Sequence, residues 1–394
     1  MKKFWIVTEL FYPDETSTSY ILTKIANALS SKYNVNVVTG EVSSASRISS
    51  SLNLSNQVQV ARVKSIKEDK SSILKRSIRL MHLSFSICMK LLINVHKGEK
   101  VFSVTNPQPL LILLAIFKRL KKFHWTLLVH DVFPENAVAA GIISNEKGLK
   151  YRLIKKLFDF GYRSADQLIV LGRDMDDVVR SKVGPNCEII VIENWAEDQI
   201  LEYHTNSSID FQKKNKPIVF QYAGNVGRVQ GLQEIIELAN RIDNPSVSFQ
   251  IVGDGPVKDE LVKYVEDNDM RNVSFSGSFP RNQQIEILEQ ADISIISLGK
   301  DMYGLGVPSK TYNIMAAGKP ILFIGPSNSE IDRVVNESRI GFSFNPNNKC
   351  DLEKFFNDFK IDRTELELMG ERARTLVKSH YTEEIILKKF MKVL

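Results

Sequence analysis

Short apolar runs alternate along this chain with longer segments whose apolar positions fall three and four apart. The runs at 3–8, 35–39, 58–63, 100–104, 125–130, 167–171 and 188–192 read as strands. Between them lie helical patterns. Ile21, Leu22, Ile25 and Leu29 share one face of a helix over 19–31, and a second pattern covers 151–160. Such alternation predicts a parallel sheet covered by helices on both faces. A polar stretch, 197–216, interrupts it with His204-Thr205-Asn206-Ser207-Ser208 and reads as a linker. The alternation then resumes. Strands are expected at 218–223, 247–252, 273–276, 293–297 and 321–324, and helices at 232–242, 259–268, 281–290 and 309–317, with a final amphipathic helix at 383–394. The fold class is therefore α/β: two Rossmann-like, doubly wound domains, 1–198 and 199–380, facing a central cleft, followed by the helical segment 381–394.

Composition agrees with two folded domains. The 394 residues are 43% hydrophobic and 25% charged, which excludes a disordered or collagen-like chain. The net charge of +6 is unevenly placed, because residues 60–125 hold 14 Lys and Arg against 3 Asp and Glu. Cys88, Cys187 and Cys350 are widely spaced and form neither a disulfide framework nor a zinc pattern, so a reducing cytoplasm is the expected compartment. Glu9 ends the first apolar run too early for a signal peptide. The longest unbroken apolar run, 110–117, is too short to span a bilayer, which takes ~20 residues.

The turns carry the candidate chemistry. The first strand-to-helix junction has no glycine, which disfavours an NAD or FAD site. Its hydroxyls at Thr16, Ser17 and Thr18 either cap the helix or offer donors to an anion. The second domain opens on Gly224-Asn225-Val226-Gly227-Arg228-Val229-Gln230-Gly231, whose glycines let the backbone approach a phosphate and whose Arg228 can fork onto a diphosphate. The turn Gly253-Asp254-Gly255 reads as structural. In Val307-Pro308-Ser309-Lys310, Pro308 and Ser309 start a helix, and Lys310 then sits where a bare cation opposes the helix dipole unless an anion shares the site. Asp174-Met175-Asp176 imitates a metal-binding DxD, but as the acidic first turn of a helix it needs no metal.

Four segments together resemble the retaining GT-B glycosyltransferases of family 4, and most closely the bacterial subgroup that adds amino sugars in surface-polysaccharide synthesis. They are Phe11-Tyr12-Pro13, His130-Asp131-Val132-Phe133-Pro134-Glu135, Tyr222-Ala223-Gly224-Asn225-Val226-Gly227-Arg228, and Val307-Pro308-Ser309-Lys310 running on to Ala317-Gly318-Lys319-Pro320. The resemblance implies a nucleotide sugar, UDP-linked, on the second domain and an acceptor on the first. Gly224, Asn225, Gly227, Arg228, Ser309, Lys310 and Asn313 would bind the donor, with Arg228 and Lys310 on the diphosphate and Asn313 touching ribose. His130 would face the transferred sugar, and Asp131 and Glu135 are the nearest carboxylates for a base. The class needs no metal and no cofactor, and its last helix crosses back to the first domain. The family's usual glutamate pair is absent, with Leu305 and Asn313 in its place.

The basic stretch of the first domain is interleaved with apolar runs. Lys75, Arg76, Arg79, Lys118, Lys121 and Lys122 flank them, a pattern that suits the inner face of an anionic membrane and a lipid-diphosphate-linked saccharide acceptor. Phe123 and Trp125 are either interfacial anchors or strand core. Nucleic acid has no motif in its favour. The rival functions are a sugar-nucleotide epimerase of the same architecture and a catalytically silent partner in a polysaccharide assembly complex.

Overall fold

The computed structural model describes residues 1–42, 52–66, 73–143, 148–203 and 216–394. The chain divides into two compact units. Unit 1 comprises Met1–Val138, Ile143–Ile192 and Leu387–Leu394, and unit 2 comprises Ala139–Ile142 and Glu193–Ile386. Most of the segment read as a linker, 204–215, lies outside the described residues.

Unit 1 is built on seven strands: β1 (Lys3–Thr8), β2 (Asn34–Gly40), β3 (Gln59–Val63), β4 (Lys100–Val104), β5 (His124–Val129), β6 (Gln167–Val170) and β7 (Glu188–Val191). All pair in parallel, in the order β3-β2-β1-β4-β5-β6-β7. The helices are α1 (Ser17–Ser30), α2 (Ile73–Asn94), α3 (Gln108–Lys121), α4 (Glu135–Ala139), α5 (Leu149–Ser164) and α6 (Arg173–Val183). Central strands such as β5, HWTLLV, are buried on both faces, hence their nearly continuous apolar sequence. Phe123 and Trp125 belong to this core, and the Trp125 indole donates to Ser103 Oγ at 2.8 Å, so neither is an interfacial anchor.

Unit 2 carries β8 (Ile218–Ala223), β9 (Val247–Val252), β10 (Val273–Ser276), β11 (Ile293–Ser297), β12 (Ile321–Ile324) and β13 (Gly341–Phe344), parallel in the order β10-β9-β8-β11-β12-β13. Its helices are α7 (Asp198–Glu202), α8 (Leu232–Ala239), α9 (Lys258–Asp267), α10 (Gln284–Gln290), α11 (Lys310–Ala316), α12 (Glu330–Ser338), α13 (Lys349–Asn357) and α14 (Arg363–His380). A cluster of Phe220, Phe249, Phe356 and Phe359 fills the core, with edge-on rings such as Phe220 on Phe356 at 5.0 Å.

The last helix, α15 (Glu383–Val393), ends in unit 1. There Phe390 packs edge-on against Phe102 at 6.4 Å, and the Leu394 carbonyl accepts from Tyr33 Oη at 3.2 Å and from Lys100 Nζ.

Both sheets reverse their winding at one place, between β1 and β4 in unit 1 and between β8 and β11 in unit 2. Chains leaving neighbouring strands turn to opposite faces there and open a crevice beyond the carboxyl ends, where such sheets bind ligands.

Candidate functional site

In unit 2 the crevice is lined by the turn after β8. Gly224 sits at φ 146, a conformation closed to most side chains. The turn after β9 lies directly against it: a Cβ on Gly253 would stand 1.9 Å from the Gly224 carbonyl oxygen, and one on Gly255 2.2 Å from that of Val226. Gly224 N donates to Val252 O at 2.9 Å and Val226 N to Asp254 O at 2.9 Å. The glycines of the second turn thus serve to support the first. Tyr222 fixes it from below, its hydroxyl donating to Asn225 O at 2.7 Å. Asn225 and Arg228 stand exposed, and among the described residues nothing pairs with Arg228. Gly231, at φ 62, passes the chain into α8.

Lys310 opens α11 and reaches into this turn. Its Nζ lies 3.5 Å from the Tyr222 ring centroid and donates to Ala223 O at 3.3 Å. Among the described residues no carboxylate pairs with it, and desolvation lowers its pKa to about 7. The amine is thus held over a ring and one carbonyl, where its charge is poorly solvated. Ser309 precedes the helix but makes no side-chain cap bond; the hydroxyl bond of this turn is Thr311 Oγ1 to Pro308 O, at 2.7 Å.

The Asn313 amide is engaged within the protein, where a ribose contact needs it free. It is buried, its Oδ1 accepting from Glu197 N at 2.9 Å and its Nδ2 donating to Glu197 Oε1 at 2.7 Å and to Gln284 Oε1 at 3.2 Å. Glu197 in turn takes both prongs of Arg281 at 2.8 Å. The residue read as the start of a linker is therefore a buried anchor for α11. The Leu305 side chain is likewise buried.

In unit 1 the crevice is bounded by the end of β5. Thr105 Oγ1 accepts from His130 N at 3.2 Å and from Asp131 N at 3.3 Å, which fixes the strand end. The His130 Nε2 is buried without a hydrogen-bond partner, and desolvation lowers the ring's pKa to about 4, so the imidazole is neutral at physiological pH. Asp131 meets solvent, yet the protein crowded around it lifts its carboxyl to about 6. Glu135 is not available as a base. Lys182 Nζ lies 2.6 Å and Lys155 Nζ 2.8 Å from its Oε1, and Asp159 completes the cluster 2.7 Å from Lys182. Two ammoniums meet two carboxylates here, and the Lys182 side chain is only 1% exposed.

Thr16 caps α1, accepting from Ser19 N at 3.1 Å. Ser17 is exposed and Thr18 half-buried in the same turn. Of the basic residues expected at a membrane, Lys75, Arg76 and Lys122 are exposed and Lys121 is half-buried. Two are tied inward: Arg79 pairs with Glu9 at 2.6 Å and Lys118 with Asp166 at 2.6 Å. Asp174 and Asp176 lie in the first turn of α6, Asp176 pairing with Arg180 at 2.8 Å. Among the described residues no group of three His, Cys, Asp or Glu could hold a metal ion, and no helix is long and apolar enough to cross a membrane. Tyr222, Thr105, Lys182 and Glu197 are the site residues that sequence reading missed. Only Tyr222 carried a signal, lying in a quoted motif.

The sequence profile of the glycosyl transferases group 1 matches residues 204–376. The chain is 31% identical over 393 residues to the probable glycosyltransferase WbjE of Pseudomonas aeruginosa, covering 99% of this chain and 97% of that one. It is 23% identical over 267 residues, 65% of each chain, to the putative colanic acid biosynthesis glycosyl transferase WcaI of Escherichia coli K12. In fold it is similar to the sucrose-phosphate synthase of Thermosynechococcus elongatus (TM-score 0.76, 13% identity, 100% of this chain and 98% of that one). It is also similar to Anabaena HepE, solved with UDP (TM-score 0.70, 14% identity, 100% and 99%). Two parallel sheets wound in the GT-B manner, and a relative this close over its whole length, place the chain in the group 1 family of glycosyltransferases.

Proposed function

We propose that the protein transfers a sugar, an N-acetylated amino sugar or a deoxysugar, from a UDP-sugar to a saccharide carried on a lipid diphosphate, with retention of configuration and without a metal. The product would serve bacterial surface-polysaccharide synthesis at the inner face of the cell membrane, in keeping with the name that WcaI carries. The observation that carries the reading is the half-buried Lys310 amine, which is set over a ring and a carbonyl and, among the described residues, is paired with no carboxylate. A diphosphate supplies the missing charge. As the glycosidic bond breaks, the nucleotide gains negative charge, and Lys310 and Arg228 stabilise that change more than they stabilise the intact donor. UDP is the nucleotide found with HepE, a neighbour in fold.

On unit 1, the neutral His130 ring offers one hydrogen bond to the transferred sugar and adds no charge of its own. Asp131, with its raised pKa, is the carboxylate suited to receive the acceptor's hydroxyl proton, unless the departing phosphate takes it. Ser17 and Thr18 are the hydroxyls left for the acceptor, Thr16 being spent on its cap. Asn313 has no role in the proposal beyond holding Glu197. The test is calorimetric titration with UDP, GDP, CDP and dTDP, beside Lys310→Ala and Arg228→Ala. Each variant should lose about 1.5–3 kcal/mol, tenfold or more in affinity. If no nucleotide binds, the donor reading fails and a catalytically silent partner takes its place.

A further inference from the structure

Helix α2 is apolar on two faces. Leu83, Ile87, Cys88 and Leu91 are buried against unit 1, as one face of a surface helix should be. The opposite face carries Leu74, Ile78, Met81, Phe85, Met89 and Ile93, between 40% and 74% exposed. These positions advance by three or four, so they form one line along the helix. Helix α3 packs against both α2 and α5. Its outer side shows Ile116 and Leu120, and α5 shows Leu149, Leu153 and Leu157, the first 82% exposed. Eleven large hydrophobic side chains thus stand in water on three neighbouring helices.

The charge on these helices has one sign. Their sequences contain twelve Lys and Arg and a single acid, Asp159, which is buried against Lys155 and Lys182. Lys75, Arg76 and Lys90 flank the α2 line, and Lys150, Arg152 and Lys156 flank the α5 line, all of them exposed.

We propose that the outer faces of α2, α3 and α5 form one docking surface for an anionic lipid bilayer. The apolar lines enter the boundary between headgroups and acyl chains, and the flanking cations stay among the headgroups. A second copy of this chain fits less well, since it would set cations against cations. The proposal rests on the lipid-held acceptor only for its purpose; the surface stands on exposure and charge alone.

The test is co-sedimentation of the full chain with vesicles of phosphatidylglycerol and phosphatidylcholine, and of phosphatidylcholine alone. Two triple variants are compared, Met81→Ser with Phe85→Ser and Met89→Ser, and Leu149→Ser with Leu153→Ser and Leu157→Ser. Wild type should bind the anionic vesicles preferentially, and each variant should bind them about tenfold or more weakly while melting at the wild-type temperature. Absence of wild-type binding, or unchanged binding by well-folded variants, would overturn the proposal. So would a wild-type dimer that either variant turns into a monomer. UDP titration of the same proteins is read separately: failure there with vesicle binding intact defeats the donor reading and leaves this surface standing.

Discussion

If Lys310 meets the diphosphate as proposed, nucleotide binding should be a proton-linked reaction. Its free amine has a pKa of about 7, because burial in the Gly224 turn disfavours the charge. A bound diphosphate restores the charge and should return the pKa toward its ordinary value of ~10.4. Between those limits the empty site is neutral and the filled site charged, so binding must take up a proton. At pH 8.5 the free lysine is roughly 3% protonated, and uptake should approach one proton per nucleotide. Affinity should fall about 16-fold from pH 7 to pH 8.5, roughly 1.6 kcal/mol, over a range where the phosphate charge is nearly constant. Calorimetry in two buffers of different ionisation enthalpy measures the uptake directly. Lys310→Arg, charged at every accessible pH, should bind without uptake and without the slope. A wild type showing neither would refute the argument: the diphosphate would not be meeting this amine, or the amine would not be neutral beforehand.

Three further outcomes are expected. Lys182→Met leaves Glu135 and Asp159 with Lys155 alone and should cost about 3–5 kcal/mol in denaturant unfolding. Gly253→Ala forces a methyl against the Gly224 carbonyl at a φ of 142, and should lower stability by about 3 kcal/mol or more and weaken UDP binding with it. If Asp131 receives the acceptor's proton, it must be ionised. Since its pKa is raised to about 6, kcat/KM should fall as pH drops through 6, and Asp131→Asn should remove that limb along with most of the rate.

What was legible in the sequence followed local rules. The bounds of β1, β8, β9, β11 and β12 could be read from apolar runs because central parallel strands are buried largely on both faces. β13 escaped, being four half-buried residues opening on a glycine, and so did α12, α13 and α14. The Gly224 turn and Lys310 were visible because glycine spacing and a misplaced cation are local signals. Asn313 and Glu135 were misread for the opposite reason. Their partners, Glu197 and Lys182, lie 116 and 47 residues away, and nothing near either residue announces them. The basic, apolar stretch that holds α2 was visible in the sequence, but which of its apolar positions face solvent was not, because a helix apolar on both faces has no clear periodicity to separate core from surface.

The residues 387–394 bear on any attempt to study the halves separately. A gene cut at Ile192 would yield a unit 1 with Phe102 uncovered and with Tyr33 and Lys100 lacking their Leu394 carbonyl. The natural order of the chain therefore offers no single cut that releases both halves complete. A permuted chain, in which the α15 segment is fused ahead of Met1 by a flexible tether, is the form in which unit 1 should fold by itself.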